Sequence, residues 1–129
     1  MQNSTDKRPA CSGLWHTPMV HVNGDVTTCC LDEHLENRIG NITRSSLEEL
    51  WNSNLMNQWR IAQIQGRFDQ SGPLCSRCNW RSAGAYSEQD AMLWYQRLQA
   101  QQKISKKQKI HGLLAMVQDK LQAIVQILP

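Results

Sequence analysis

The sequence has one phenylalanine, Phe68, in 129 residues. Five tryptophans, at 15, 51, 59, 80 and 94, must therefore supply most of the large aromatic burial, each with an indole N–H that needs a partner. Long apolar runs are also missing. The most apolar stretch, Ile110 to Leu128, is broken by Gln118, Asp119, Lys120 and Gln122, which argues against a membrane span. The first residues, Met1 to Pro9, are polar and lack the apolar centre of a secretory signal. No large excess of one charge is present. A net charge of +3 is too small for a nucleic-acid binder, and only Arg97 to Lys109 is one-sidedly basic. Mean hydropathy is -0.54, that of a soluble chain. There is no Ser/His/Asp order, no paired carboxylates and no phosphate loop, so the chain is not expected to be an enzyme on its own.

The five cysteines are odd in number, and none follows Cys78. That count fits a disulfide framework poorly. With no secretory signal, the expected compartment is the cytoplasm, where thiols stay reduced and cysteines read as ligands. Their placement is informative. His21 to Cys30 carries Asn23-Gly24 between β-branched residues, a strong hairpin signal, and the second strand runs into Cys29-Cys30. Cys11 lies one short segment upstream, and Cys75-Ser76-Arg77-Cys78 is a C-x-x-C. A hairpin that delivers a thiolate towards a C-x-x-C suggests a cradle for zinc or for an iron–sulfur cluster, both of which take four thiolates.

In order, Met1 to Pro9 reads as a flexible lead-in and Cys11 to Thr17 as a loop. The hairpin strands are expected over Met19–Val22 and Val26–Cys30, then a polar surface loop over Leu31–Arg38. Ile39 to Ile42 is a turn or a short third strand. Ser46 and Glu49 form a capping box that opens a helix with Leu47, Leu50 and Trp51 on its face. A second helix over Leu55–Gln65 should bury Leu55, Trp59, Ala62 and Ile64, with Gly66 as its stop. Ser87 and Asp90 signal a helix to about Gln101. Lys103–Lys109 is a basic join, and a last helix carries a broad stripe of Ile110, Leu113, Leu114, Val117, Leu121, Ile124 and Leu128. The fold class is α+β: a small β-hairpin and short helices around a four-cysteine site, with a C-terminal helical extension. The expected divisions are 1–8, a flexible N-terminus; 9–86, the cysteine domain; and 87–129, the extension.

Cys11, Gly24-x4-Cys29, Ile39-Gly40-Asn41-Ile42, Ser46-Leu47-Glu48-Glu49-Leu50-Trp51-Asn52-Ser53 and Cys75-x2-Cys78 stand in this order. Together they resemble the SPASM domain, the auxiliary iron–sulfur module of many radical SAM enzymes, over about Pro9 to Arg81. The longer family pattern continues with three more cysteines. Their absence makes the chain similar to the shortened, single-cluster form called a twitch domain. The resemblance implies that Cys11, Cys29, Cys75 and Cys78 bind one 4Fe-4S cluster. It implies a radical SAM catalytic subunit or domain as partner, with a peptide as a possible substrate, and a role in electron transfer or substrate positioning. The C-x3-C-x2-C loop of radical SAM catalysis is missing from this sequence. The alternative is a zinc-stabilised interaction module. Nucleic acid is not an expected partner and a membrane is disfavoured, while the last helix offers a face for self-association.

Two further expectations concern the surroundings. In a strand Cys30 would face away from Cys29, as a small buried hydrophobe. His16, His21 and His34 read as surface or packing residues, with His21 a candidate donor to sulfur. Trp80 is a cover over the site, and Arg77 and Arg81 are candidates to offset cluster charge.

Overall fold

A computed structural model describes residues 8–79 and 84–127. The chain forms two compact units, Met1–Met92 and Leu93–Pro129. The first holds a three-stranded antiparallel sheet in the order β1 (Met19–Val20), β2 (Asp25–Thr27), β3 (Gly40–Asn41). Around it stand α1 (Gly13–His16), α2 (Leu47–Trp51), α3 (Asn54–Ile64), a 3-10 turn at Phe68–Gln70, and α4 (Pro73–Arg77). The last helix, α5, runs Glu88–Val125. This is the α+β architecture expected.

The hairpin forms with Met19 opposite Thr27 and Val20 opposite Val26, but its strands are shorter than the residue pattern suggests. The Gly24 N–H bonds the His21 carbonyl, and the His21 N–H bonds the Asp25 carbonyl, both at 2.8 Å. The loop is thus three residues, closed by Gly24 at φ +86°, the arrangement in which a turn is followed by a left-handed residue. A Cβ at position 24 would lie 2.8 Å from the Asn41 Oδ1. Asn41 needs that space, because its amide donates to the Asn23 carbonyl and to the Asp25 carboxylate, both at 3.0 Å. The third strand is therefore tied to the hairpin loop by side chain as well as by ladder.

The capping box is present. The Glu49 N–H donates to the Ser46 Oγ, and the Ser46 N–H donates to the Glu49 carboxylate at 2.8 Å. Helix α3 stops at Gly66, whose φ is +74°. The Gly66 N–H bonds the Gln63 carbonyl and the Arg67 N–H the Ala62 carbonyl, the paired bonds of a Schellman ending. The buried face of α3 differs from the expected one. It is Met56, Trp59, Arg60, Ala62 and Gln63, while Leu55 is exposed. Two polar residues sit on that face because each has internal partners, which an apolar-periodicity reading does not register.

The core is small: Leu14, Met56 and Trp59 are buried together, with Trp15, Ile39 and Trp51 against them. Arg60 crosses it, donating from Nε to the Leu14 carbonyl at 2.8 Å, with its guanidinium 5.2 Å from the centre of the Trp51 ring. Burial lowers its pKa to about 10. The segment Cys11–Thr17 is not simply a loop, since it contains α1. Leu31–Arg38 is not a free surface loop either: Asp32 and Asn37 are 2% and 0% exposed. The expected basic join is helix, because lysine and glutamine are good helix formers and no proline interrupts them. The start at Ser87 is as expected, with the Asp90 N–H on the Ser87 Oγ at 3.4 Å. Among the described residues no helix is long and apolar enough to cross a membrane. Trp80, Arg81 and Leu128 lie outside the described residues.

Candidate metal centre

Three segments far apart in sequence bring cysteines to one place. Cys11 precedes α1. Its N–H donates to the Gln63 Oε1 on α3 at 2.8 Å, and it bridges Ala85 in antiparallel fashion. Cys29 follows β2, after Thr27 and Thr28, both buried. Cys75 lies within α4 and Cys78 ends it. Pro73 opens that helix, a position where the missing proline N–H costs nothing. Cys11, Cys29, Cys75 and Cys78 all line one cavity of about 210 Å³, with Leu14, Leu31 and Leu74 in its walls. All four are half-buried, and no disulfide links cysteines among the described residues.

Cys30 lines the same cavity. The strand ends at Thr27, so strand alternation does not govern Cys29 and Cys30. Cys30 is exposed at the rim, not buried behind it as expected. Among the described residues, none of His16, His21 and His34 is in the lining, and His34 sits beside Glu33 at 3.2 Å. Arg77 is also outside the lining and is paired with Glu36. The arginine at the cavity is Arg8, whose guanidinium lies 4.1 Å from the centre of the Phe68 ring.

Polar groups surround the sulfurs. The Leu31 N–H donates to the Cys29 Sγ at 3.4 Å, and the Asn37 amide to the Cys75 Sγ at 3.2 Å. Burial pushes the Cys29 thiol above its ordinary pKa, aided by the neighbouring cysteines and opposed by the Leu31 N–H. Burial also raises Cys75, against hydrogen bonds with Asn37 and Ser71. Both thiols therefore hold their protons at neutral pH, and a metal that binds there must displace them. Gln63 stands in the wall of this cavity and of a second one of about 260 Å³ that also contains Tyr86 and Glu88.

A family model described as an iron–sulfur cluster-binding domain, SPASM, matches residues 11–79. The chain belongs to the SPASM family. No curated protein and no solved structure matches it. Residues 11–79 of the SPASM domain include every cysteine in the sequence. The donor set fits the cofactor that the family description names: soft thiols on a cavity with apolar walls and N–H groups directed at sulfur. Among the described residues, no three Cys, His, Asp or Glu side chains come close enough together to hold a single metal ion.

Sequence reasoning missed Asn37, Gln63, Asp32 and Arg8 around the SPASM site. Asp32 and Asn37 carried a signal, since both residue types bond readily to nearby backbone. Gln63 carried none, because a glutamine on a helix is ordinarily solvated.

Proposed function

We propose that this SPASM domain holds one 4Fe-4S cluster through Cys11, Cys29, Cys75 and Cys78, and passes electrons to or from a radical SAM partner. The observation that carries the reading is the arrival of five cysteines, four of them half-buried, from three separate segments at a single cavity. The family match favours a cluster over one zinc ion. Zinc draws four sulfurs to about 2.3 Å from a single point. A polynuclear cluster interposes its own atoms, so its ligands stand further apart around a volume.

When bound, such a cluster supplies one-electron transfer. Four protein thiolates leave no iron for a substrate to ligate, which favours electron transfer over direct substrate binding. Buried Leu14 excludes water from the inner wall, while exposed Cys30 and Leu31 leave the outer rim open to a docked partner. The Leu31 N–H and the Asn37 amide orient and polarise two of the sulfurs.

Protein prepared without oxygen should be brown and contain iron and acid-labile sulfide in about a four-to-four ratio per chain. A colourless protein with one zinc per chain would establish the zinc-stabilised module instead. Capture of a radical SAM enzyme in its anaerobic form, with electron transfer between the two, tests the partner.

A further inference from the structure

We propose that Asn37 is the positioning residue of this centre: a single buried amide holds the Cys75–Cys78 segment against the Cys29 segment and donates a hydrogen bond to the Cys75 sulfur. The proposal rests on the reading of Cys29, Cys75 and Cys78 as cluster ligands, and it concerns a residue outside the ligand set.

Asn37 is 0% exposed, so each polar atom of its amide needs a partner. One N–H goes to the Cys75 Sγ and the other to the Thr28 Oγ1, both at 3.2 Å. The oxygen accepts the Leu74 N–H at 2.9 Å. Leu74 is the second residue of α4, and the N-cap position of that helix is Gly72, which has no side chain to offer. Asn37 thus caps the C-x-x-C helix from 37 residues away in sequence. The orientation of the amide is fixed, since a reversed amide would set N–H against N–H at Leu74. Gly72 makes room for it: a Cβ there would lie 2.7 Å from the Asn37 oxygen and 2.9 Å from its nitrogen. Asn37 is held in turn by its own N–H on the Asp32 carboxylate at 2.8 Å. Helix cap, thiol donor and tie to the residue before Cys29 are one group.

A purely structural asparagine would cap the helix and leave the cluster's potential alone. A donor on a ligand sulfur raises that potential. Asn37→Asp keeps the acceptor for Leu74 and removes the donor to sulfur, but it also sets a carboxylate beside the cluster; Asn37→Ala removes the donor with no added charge. Both variants should load iron, show a lower midpoint potential, and lose iron to a chelator about tenfold faster than wild type, the order expected for one hydrogen bond to a charged group. An unchanged potential in Asn37→Ala, with iron loss within about twofold of wild type, overturns the proposal. If Asn37→Ala does not fold, the wild-type protein labelled with 15N-asparagine decides. The Asn37 side-chain amide should carry a paramagnetic shift from the cluster, and an unshifted signal overturns the proposal. Wild-type protein that takes up no iron would instead refute the cluster reading itself. The clamp would then be read from alkylation of the metal-free protein, in which Asn37→Ala should expose Cys75 more than Cys78. Equal rates would overturn it.

Discussion

Cys29 and Cys30 are adjacent, line the same cavity, and differ in environment. Cys29 is half-buried with an N–H on its sulfur; Cys30 is exposed. Only the first matches the Gly24-x4-Cys29 spacing. Cys29→Ser should lose or convert the cluster, whereas Cys30→Ala should keep its iron at a stability change within about 0.5 kcal/mol, as for other surface substitutions. Iron-to-protein ratios of the two variants check this, and the opposite pattern would reverse the assignment. The gathering of Cys11, Cys29, Cys75 and Cys78 at one cavity was legible because a C-x-x-C with a hairpin cysteine is a recurrent ligand pattern. The residues that orient them were not. Asn37 reaches Cys75 across 38 positions, and Gln63 reaches the Cys11 N–H across 52. Neither separation leaves a mark on local pattern.

At the scale of elements, the sheet depends on one carboxylate. Asp25 opens β2, accepts from the Asn41 amide at 3.0 Å and from the Arg38 Nε at 2.6 Å, and is held below its ordinary pKa by those bonds, Asn41 first. A carboxyl whose pKa is lower folded than unfolded contributes stability that is complete above the unfolded value and disappears as pH falls through the folded one. Stability should therefore be flat in Asp25 above about pH 5 and decline below about pH 4. Asp25→Asn should flatten part of that acid limb in urea titrations, and an identical limb in the variant would refute the assignment. The hairpin, the capping box and the Gly66 stop were legible because each is set by neighbours in sequence. The strand lengths, the three-residue loop and the buried face of α3 were not, because Asn41, Cys11 and Leu14 decide them from a distance. The unbroken α5 was misread from charge, although lysine-rich segments propagate helix readily.

For the whole molecule, the core is modest beside the number of residues it must order. Leu14, Met56 and Trp59 are the buried cluster, and small cores often need a metal to complete them. Removal of iron should lower the melting temperature by about 10 °C or more, the shift that roughly 2 kcal/mol produces in a unit of this size. Equal melting of both forms would show that the apolar contacts suffice. In the second unit, Ile110, Leu113, Leu114, Val117, Leu121 and Ile124 are each more than half exposed. Without Leu113, which adjoins Leu114, they recur at alternating steps of four and three, those of a helix seam. Leu114→Glu with Leu121→Glu should reduce self-association in sedimentation while leaving iron content unchanged. A monomeric wild type would remove a second copy as the occupant of that face.

The backbone on either side of the cysteine-bearing unit meets itself. The Tyr86 N–H donates to the Ala10 carbonyl and the Ser12 N–H to the Gly84 carbonyl, both at 2.7 Å. The described residues between 10 and 86 thus begin and end one hydrogen bond apart. A segment with joined ends is expected to tolerate grafting, which the iron content of a carrier protein holding it as an insert would check. Spliced into a surface loop of an unrelated host, it asks that host to part its chain by no more than the width of a β-ladder, and it brings its closure with it.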